Sequence, residues 1–186
     1  RIENGALVLE GDKSYAKSAA LTKTLGEKTM EAWLMLSNLE QRGGGAMTLQ
    51  DDHGEVFDSI VFAEKENACW VPGSNNFRRS KNLDAPRERD AANRMVHVAV
   101  VYEADGTVTA YRDGKILGEP YRSEGPARFE SGRSEVLFGL RHGTSASGNR
   151  VLQGRIYRAR LYDRALSAAE VATTRRLESS FITESE

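Results

Sequence analysis

The stretch Met95–Tyr121, MVHVAVVYEADGTVTAYRDGKILGEPY, holds two Asp-Gly pairs, Asp105-Gly106 and Asp113-Gly114, between three apolar-rich runs. Asp-Gly between such runs is a strong hairpin signal, because type I′ turns need residues that tolerate positive φ. The spacing predicts an antiparallel meander of Met95–Glu103, Thr107–Arg112 and Lys115–Gly118. In its first strand Val96, Val98, Val100 and Tyr102 fall on one face, with His97, Ala99 and Val101 on the other. A strand that apolar on both faces is covered on both sides, at the centre of a stack and not at a solvated edge. Asp105 and Asp113 read as turn formers, and His97 as a buried strand histidine.

Upstream, Ala6–Leu9 runs into the turn cluster Glu10-Gly11-Asp12-Lys13, and Ser14–Leu21 alternates weakly as a second short strand. Thr29–Leu36 (TMEAWLML) again carries large apolar groups on both faces. Gly43-Gly44-Gly45 lacks the Lys-Ser/Thr of a phosphate loop and leads into a strand, Ala46–Gln50. It reads as a hairpin connection or as a place where backbones pack closely. Asp51-Asp52-His53-Gly54 reads as a turn, since one short turn supplies too few ligands for a metal. Glu55–Ala63 alternates as a strand, and Ala68–Val71 is a brief strand ending at Pro72-Gly73. Downstream, strands are expected at Glu135–Leu140 and Val151–Tyr162, joined by the small-residue loop Arg141–Asn149. Ser167-Ala168-Ala169-Glu170 fits a capping box that opens a helix over Ala168–Ser179, with Val171, Ala172 and Leu177 inward. About ten strands and one terminal helix, without βαβ alternation, make the chain all-β.

The chain has 186 residues and a formal net charge of −1, which suits one domain and implies no polyanion or anionic membrane as partner. No apolar run is long enough for a transmembrane span. The chain opens on Arg1, which reads as a piece of a larger protein. Its single cysteine, Cys69, excludes an internal disulfide and reads as a small hydrophobe in a strand. Ser74–Asn93 is the longest irregular region, a length that usually marks function or disorder. Between Arg78 and Arg94, six bases (Arg78, Arg79, Lys81, Arg87, Arg89 and Arg94) stand against Asp84, Glu88 and Asp90. That interleaving argues against nucleic acid and for a solvated loop lying across one sheet.

Four segments, in order, resemble the laminin-G-like form of the concanavalin A-like lectin/glucanase jelly roll. Ala6–Asp12 with Tyr15 is similar to the family's opening strand and turn. Thr29–Leu36 is similar to its strand around a Glu-Ala-Trp. Met95–Gly118 resembles its central meander, with His97, Ala99, Tyr102, Tyr111, Asp113 and Gly114 in place. Gly154–Glu170 resembles its closing strand and helix start, with Tyr162, Asp163, Arg164, Leu166, Ser167 and Glu170 matching. The resemblance runs from Gly5 to about Ala172. It implies a two-sheet antiparallel jelly-roll sandwich over residues 1–167, followed by a short C-terminal helix and tail, 168–186, leading toward a further domain of a bacterial envelope protein.

The family's usual role implies a non-catalytic module, outside the cytoplasm, that binds carbohydrate or protein. The alternative is a docking module without a sugar ligand. A glycoside hydrolase needs two suitably spaced carboxyls, and the Glu-x-Asp-x-x-Glu strand of the hydrolytic relatives is absent. Structural calcium in relatives would leave Glu10 and Asp12 as ligands here, since Tyr157 and Arg158 stand where the pattern has an acidic pair. No other cofactor is implied. Aromatic rings beside amides and guanidinia suit a small-ligand site. Trp70, Asn75, Asn76, Phe77, Arg78 and Arg79 are therefore the candidates, with Arg141 and His142 as a second rim.

Overall fold

A computed structural model describes residues 1–11, 13–143 and 151–183, the stretch 177–183 by backbone alone. Two antiparallel sheets face each other. The larger contains β1 (Ile2–Glu3), β2 (Ala6–Glu10), β4 (Lys28–Leu36), β8 (Val96–Tyr102), β9 (Thr107–Arg112), β10 (Lys115–Ile116), β11 (Tyr121–Arg122) and β13 (Gln153–Tyr162). Its order is β1-β2-β13-β4-β8-β9-β10, with β11 also on β9. The smaller contains β3 (Ala16–Lys17), β5 (Gly44–Asp51), β6 (Phe57–Phe62), β7 (Trp70–Ser74) and β12 (Ser134–Phe138), in the order β3-β12-β5-β6-β7. The helix α1 spans Ala168–Thr183. This is the jelly-roll sandwich that the family resemblance implies.

The period of two divides each strand between two environments. Met30, Ala32 and Leu34 of β4 and Val96, Val98 and Val100 of β8 meet Met47, Leu49, Ile60 and Phe62 of the small sheet in the main core. The opposite face of β8, Ala99 and Val101, joins Tyr111, Leu166 and Val171 in a second cluster beneath α1. Both faces of the opening stretch are therefore covered, one by a sheet and one by the helix. Val171 is inward as expected, and the Leu177 side chain lies outside the described residues. The start of the helix packs on the sandwich through Val171. Ser167 caps it, with Glu170 Oε2 accepting from the Ser167 N–H at 2.8 Å.

Two buried polar clusters pin the layers. Between the sheets, Asp58 forms an ion pair with Lys28 Nζ at 2.9 Å and accepts Arg79 Nε at 2.8 Å, all three side chains essentially inaccessible. Burial lowers the Lys28 ammonium, and Asp58 opposes that shift. The ammonium also lies 4.4 Å from the Tyr102 ring centroid. Beneath α1, buried Glu31 sits 3.2 Å from His97 Nε2 and accepts Thr174 Oγ1 at 2.7 Å and Tyr162 OH at 3.2 Å.

Three details depart from expectation. The strand begun near Ala68 runs on through Pro72 and Gly73 to Ser74, because β7 is an edge strand and a missing N–H on its open side costs nothing. Asp113 and Gly114 both have positive φ, as a type I′ turn requires, but in the first Asp-Gly pair only Gly106 does. There Asp105 Oδ1 accepts the Thr107 N–H at 2.9 Å instead, an Asx-type turn. The long loop after β7 is knitted in and not merely solvated. Leu83 and Ala91 are buried, and its backbone bonds Ala68, Leu36 and Glu119.

Candidate functional site

The outer face of the small sheet, the face turned away from the large one, carries Thr48 and Gln50 of β5 and Phe57 and Ser59 of β6. The chain beyond β12 folds back across it. Thr48 Oγ1 donates toward the Leu140 and Arg141 carbonyls at 3.0 and 2.9 Å. Gln50 Oε1 accepts the Gly143 N–H at 2.7 Å. This approach is possible because β5 opens on glycine: a Cβ at Gly45 would lie 2.4 Å from the Leu140 carbonyl oxygen, and one at Gly44 2.5 Å from the Leu152 nitrogen. The three-glycine run thus serves close packing and not a phosphate.

That crossing places His142 flat on Phe57, ring centroids 4.3 Å apart and 10° from parallel. Arg141 turns to Glu64 and forms an ion pair with it. Opposite, the chain leaves β7 through a single 3-10 turn, Asn75–Phe77. Asn76 and Phe77 lie in the left-handed region, at φ 50° and 55°. Phe77 is 48 % exposed, with Lys65 Nζ 4.8 Å from its ring centroid. Phe57, Glu64, Asn75, Asn76, Phe77, Arg141 and His142 together line an open groove of about 430 Å³, within the range of small-ligand sites. Burial against Phe57, then the charge of Arg141, lowers the His142 imidazolium. The stacked ring is consequently neutral near pH 7. The groove offers an exposed aromatic face, amide donors and acceptors, two carboxylates (Glu55 and Glu64) and one guanidinium, which is a set that grips apolar ring faces and hydroxyl groups.

Of the eight candidates from sequence, this groove gathers Asn75, Asn76, Phe77, Arg141 and His142. Three are elsewhere. Trp70 is 5 % exposed, tilted against Phe62 in the core, with Nε1 donating to Glu88 at 2.9 Å. Its ring is unavailable as a stacking platform. Arg79 is the buried partner of Asp58, and it fixes the turn by donating to Asn75 Oδ1 at 2.7 Å. Arg78 pairs with Glu124 at 2.6 Å and does not line the groove. Phe57 and Glu64 were missed by sequence reasoning. The alternation marked β6 as a strand, but nothing local says which of its faces the 140–143 crossing would cover.

Glu10 is engaged by Arg1 at 2.9 Å, and Asp12 lies outside the described residues. Among the described residues no three His, Cys, Asp or Glu side chains converge as metal ligands. Cys69 is half-buried on the turn before β7, its Sγ 3.9 Å from Glu66, and burial followed by that carboxylate raises its thiol. A raised thiol is a poor nucleophile.

The same fold appears in solved structures of low sequence identity. A serum-amyloid-P-like pentraxin from Limulus polyphemus superposes with a TM-score of 0.70 at 15 % identity, over 90 % of this chain and 80 % of that one. Domain 4 of an extracellular arabinanase from Geobacillus stearothermophilus, solved with arabinotriose, gives 0.65 at 15 % identity, over 90 % and 75 %. A carbohydrate-binding module of a Ruminococcus gnavus sialidase, bound to α2,3-sialyllactose, gives 0.63 at 17 % identity, over 90 % and 97 %. No curated protein matches the chain in sequence. The laminin G family model, described as the concanavalin A-like lectin/glucanases superfamily, matches residues 10–172. Strand order, core and sequence pattern converge on one conclusion: the chain belongs to the concanavalin A-like lectin/glucanase superfamily.

Proposed function

We propose that the domain is a non-catalytic, carbohydrate-binding module, acting outside the cytoplasm, whose ligand lies in the groove on the small sheet. One observation carries the reading. Phe77 holds a left-handed backbone yet remains 48 % exposed, so its strain secures no core packing. Strain of about 1–3 kcal/mol per such residue persists where the surrounding structure over-determines it, and such residues cluster at active sites, ligand clamps and switch regions. Here it turns an aromatic ring toward an open groove beside Asn75, Asn76 and the stacked Phe57–His142 pair. An aromatic face takes the apolar face of a sugar ring, and the amides, Glu64 and Arg141 take its hydroxyls. The arabinanase domain and the sialidase module, solved with arabinotriose and sialyllactose, support oligosaccharides as the ligand class.

A glycan array, followed by calorimetric titration of the strongest neutral oligosaccharide, tests the proposal. Phe77→Ala and His142→Ala should each weaken binding about tenfold, the worth of one stacking or hydrogen-bonding contact, with thermal denaturation nearly unchanged. Trp70→Phe should leave affinity unaltered. An array without a hit, or affinity that survives both groove substitutions, overturns the reading in favour of a protein-docking module.

A further inference from the structure

A second depression, of about 660 Å³, opens between the 86–94 loop and the β9–β10 hairpin and shares no lining residue with the groove. In sequence its bases and acids alternate and look self-cancelling. The folded chain sorts them. Arg112 grips Glu88 with both arms, at 2.6 and 3.0 Å, and reaches Asp113 at 2.5 Å. Arg94 pairs with Asp90 at 2.7 Å and Asp113 at 3.0 Å. All three carboxylates of the cleft are thereby engaged by two guanidinia. Arg87, Arg89 and Lys115 are exposed and have no carboxylate partner among the described residues. Arg87 and Arg89 flank Glu88 on the loop wall, and Lys115 stands on the hairpin wall.

The loop wall is set before any ligand arrives. Glu88 Oε1 accepts the backbone N–H groups of Arg89, Asp90 and Ala91 at 2.9, 2.8 and 3.2 Å. Its Oε2 takes the indole N–H of Trp70. With the two contacts from Arg112, one buried carboxylate therefore holds six donors and fixes where Arg87 and Arg89 emerge.

We propose that this cleft is a second binding site, specific for a carboxylate-bearing saccharide such as a uronic acid oligomer. Guanidinium groups match planar carboxylates with paired hydrogen bonds, and Lys115 adds a point charge from the other side. The half-exposed Asp90 and partly exposed Asp113 supply acceptors beside those cations. Sugar hydroxyls donate to such acceptors, whereas a deoxyribose–phosphate backbone has no O–H to give them and is repelled. Strand addition, one mode of peptide docking, is closed at β9, whose edge is already taken by β10 and β11. Pro86 and Leu117 give the cleft apolar wall for a ring face.

The test is calorimetric titration of the full chain with trigalacturonate at low and moderate salt, with hexaglutamate and maltotriose as comparators. Trigalacturonate should bind, more weakly as salt rises. The double variant Arg87→Ala/Arg89→Ala should lose about tenfold in affinity and Lys115→Ala about threefold, by loss of charge-assisted contacts. Phe77→Ala should change nothing, so failure of the groove and failure of the cleft are read separately. All these side chains are exposed, and thermal denaturation checks that the variants stay folded. No binding of trigalacturonate overturns the proposal. So does equal binding of hexaglutamate or maltotriose with the same losses, or loss of trigalacturonate affinity in Phe77→Ala alone.

Discussion

At Glu88, burial alone would raise the carboxyl; the guanidinium of Arg112, the indole N–H of Trp70 and the backbone N–H of Asp90 outweigh it and hold the group at about 2. The folded-state value lies below that of an ordinary glutamate, so the stabilisation is complete above about pH 4.5 and is lost as pH falls toward 2. The shift corresponds to about 3 kcal/mol. Glu88→Gln should therefore unfold at lower urea at pH 7, with the gap to the parent narrowing between pH 4.5 and 2. Asp58 faces the opposite risk. Asp58→Ala would leave Lys28 and Arg79 buried without an anion, and should cost about 3–5 kcal/mol or prevent folding, read from denaturant midpoints. Phe77→Gly separates fold from function at one position. Glycine accepts a φ of 55° without strain, so stability should hold or rise by up to about 1 kcal/mol while oligosaccharide affinity falls.

Among the elements, α1 depends on one hidden polar contact. Thr174→Val removes the hydroxyl that Glu31 accepts while leaving the carboxylate buried, and should cost about 1–3 kcal/mol. Hydrogen exchange should then rise at the amides of α1 ahead of the sheet. The elements also show where the sequence was legible. The meander could be read because alternation and Asp-Gly turns are local signals, and the two-sided apolar pattern of Val96–Tyr102 already said that something covers each face. It did not say that one cover is a helix, since the helix meets β8 some seventy positions later in the chain. The groove was half legible for the same reason. Asn75–Phe77 and Arg141-His142 stood out as polar-aromatic clusters in loops, but Phe57 looked like any strand residue until His142 lay on it. The core position of Trp70 was not legible, because a large aromatic beside a long loop carries no local mark of which way it points. Its partner Glu88 comes from that loop's far end.

For the whole molecule, the two proposed sites belong to different surfaces, the groove to the outer face of the small sheet and the cleft to the loop-and-hairpin end. Each is braced by its own buried anion, Asp58 behind the turn that carries Asn75 and Glu88 behind the cations of the loop. A further consequence follows from the place of β13. This strand, Gln153–Tyr162, is next to last among the elements, yet it lies between β2 and β4, bonded to both. Until it arrives, the first strands have no neighbour to join them to the rest, and Leu7, Leu9, Leu34 and Leu36 lack the partners that close the large sheet. The ribosome must therefore deliver nearly the entire chain before the sandwich can shut. Folding waits on the exit tunnel, and the long-range closure sets a slow rate, in the range of milliseconds to seconds typical of such β topologies. A chain stopped at residue 150 should show little β signal in far-ultraviolet circular dichroism, and a nascent one should stay sensitive to protease until synthesis passes Tyr162.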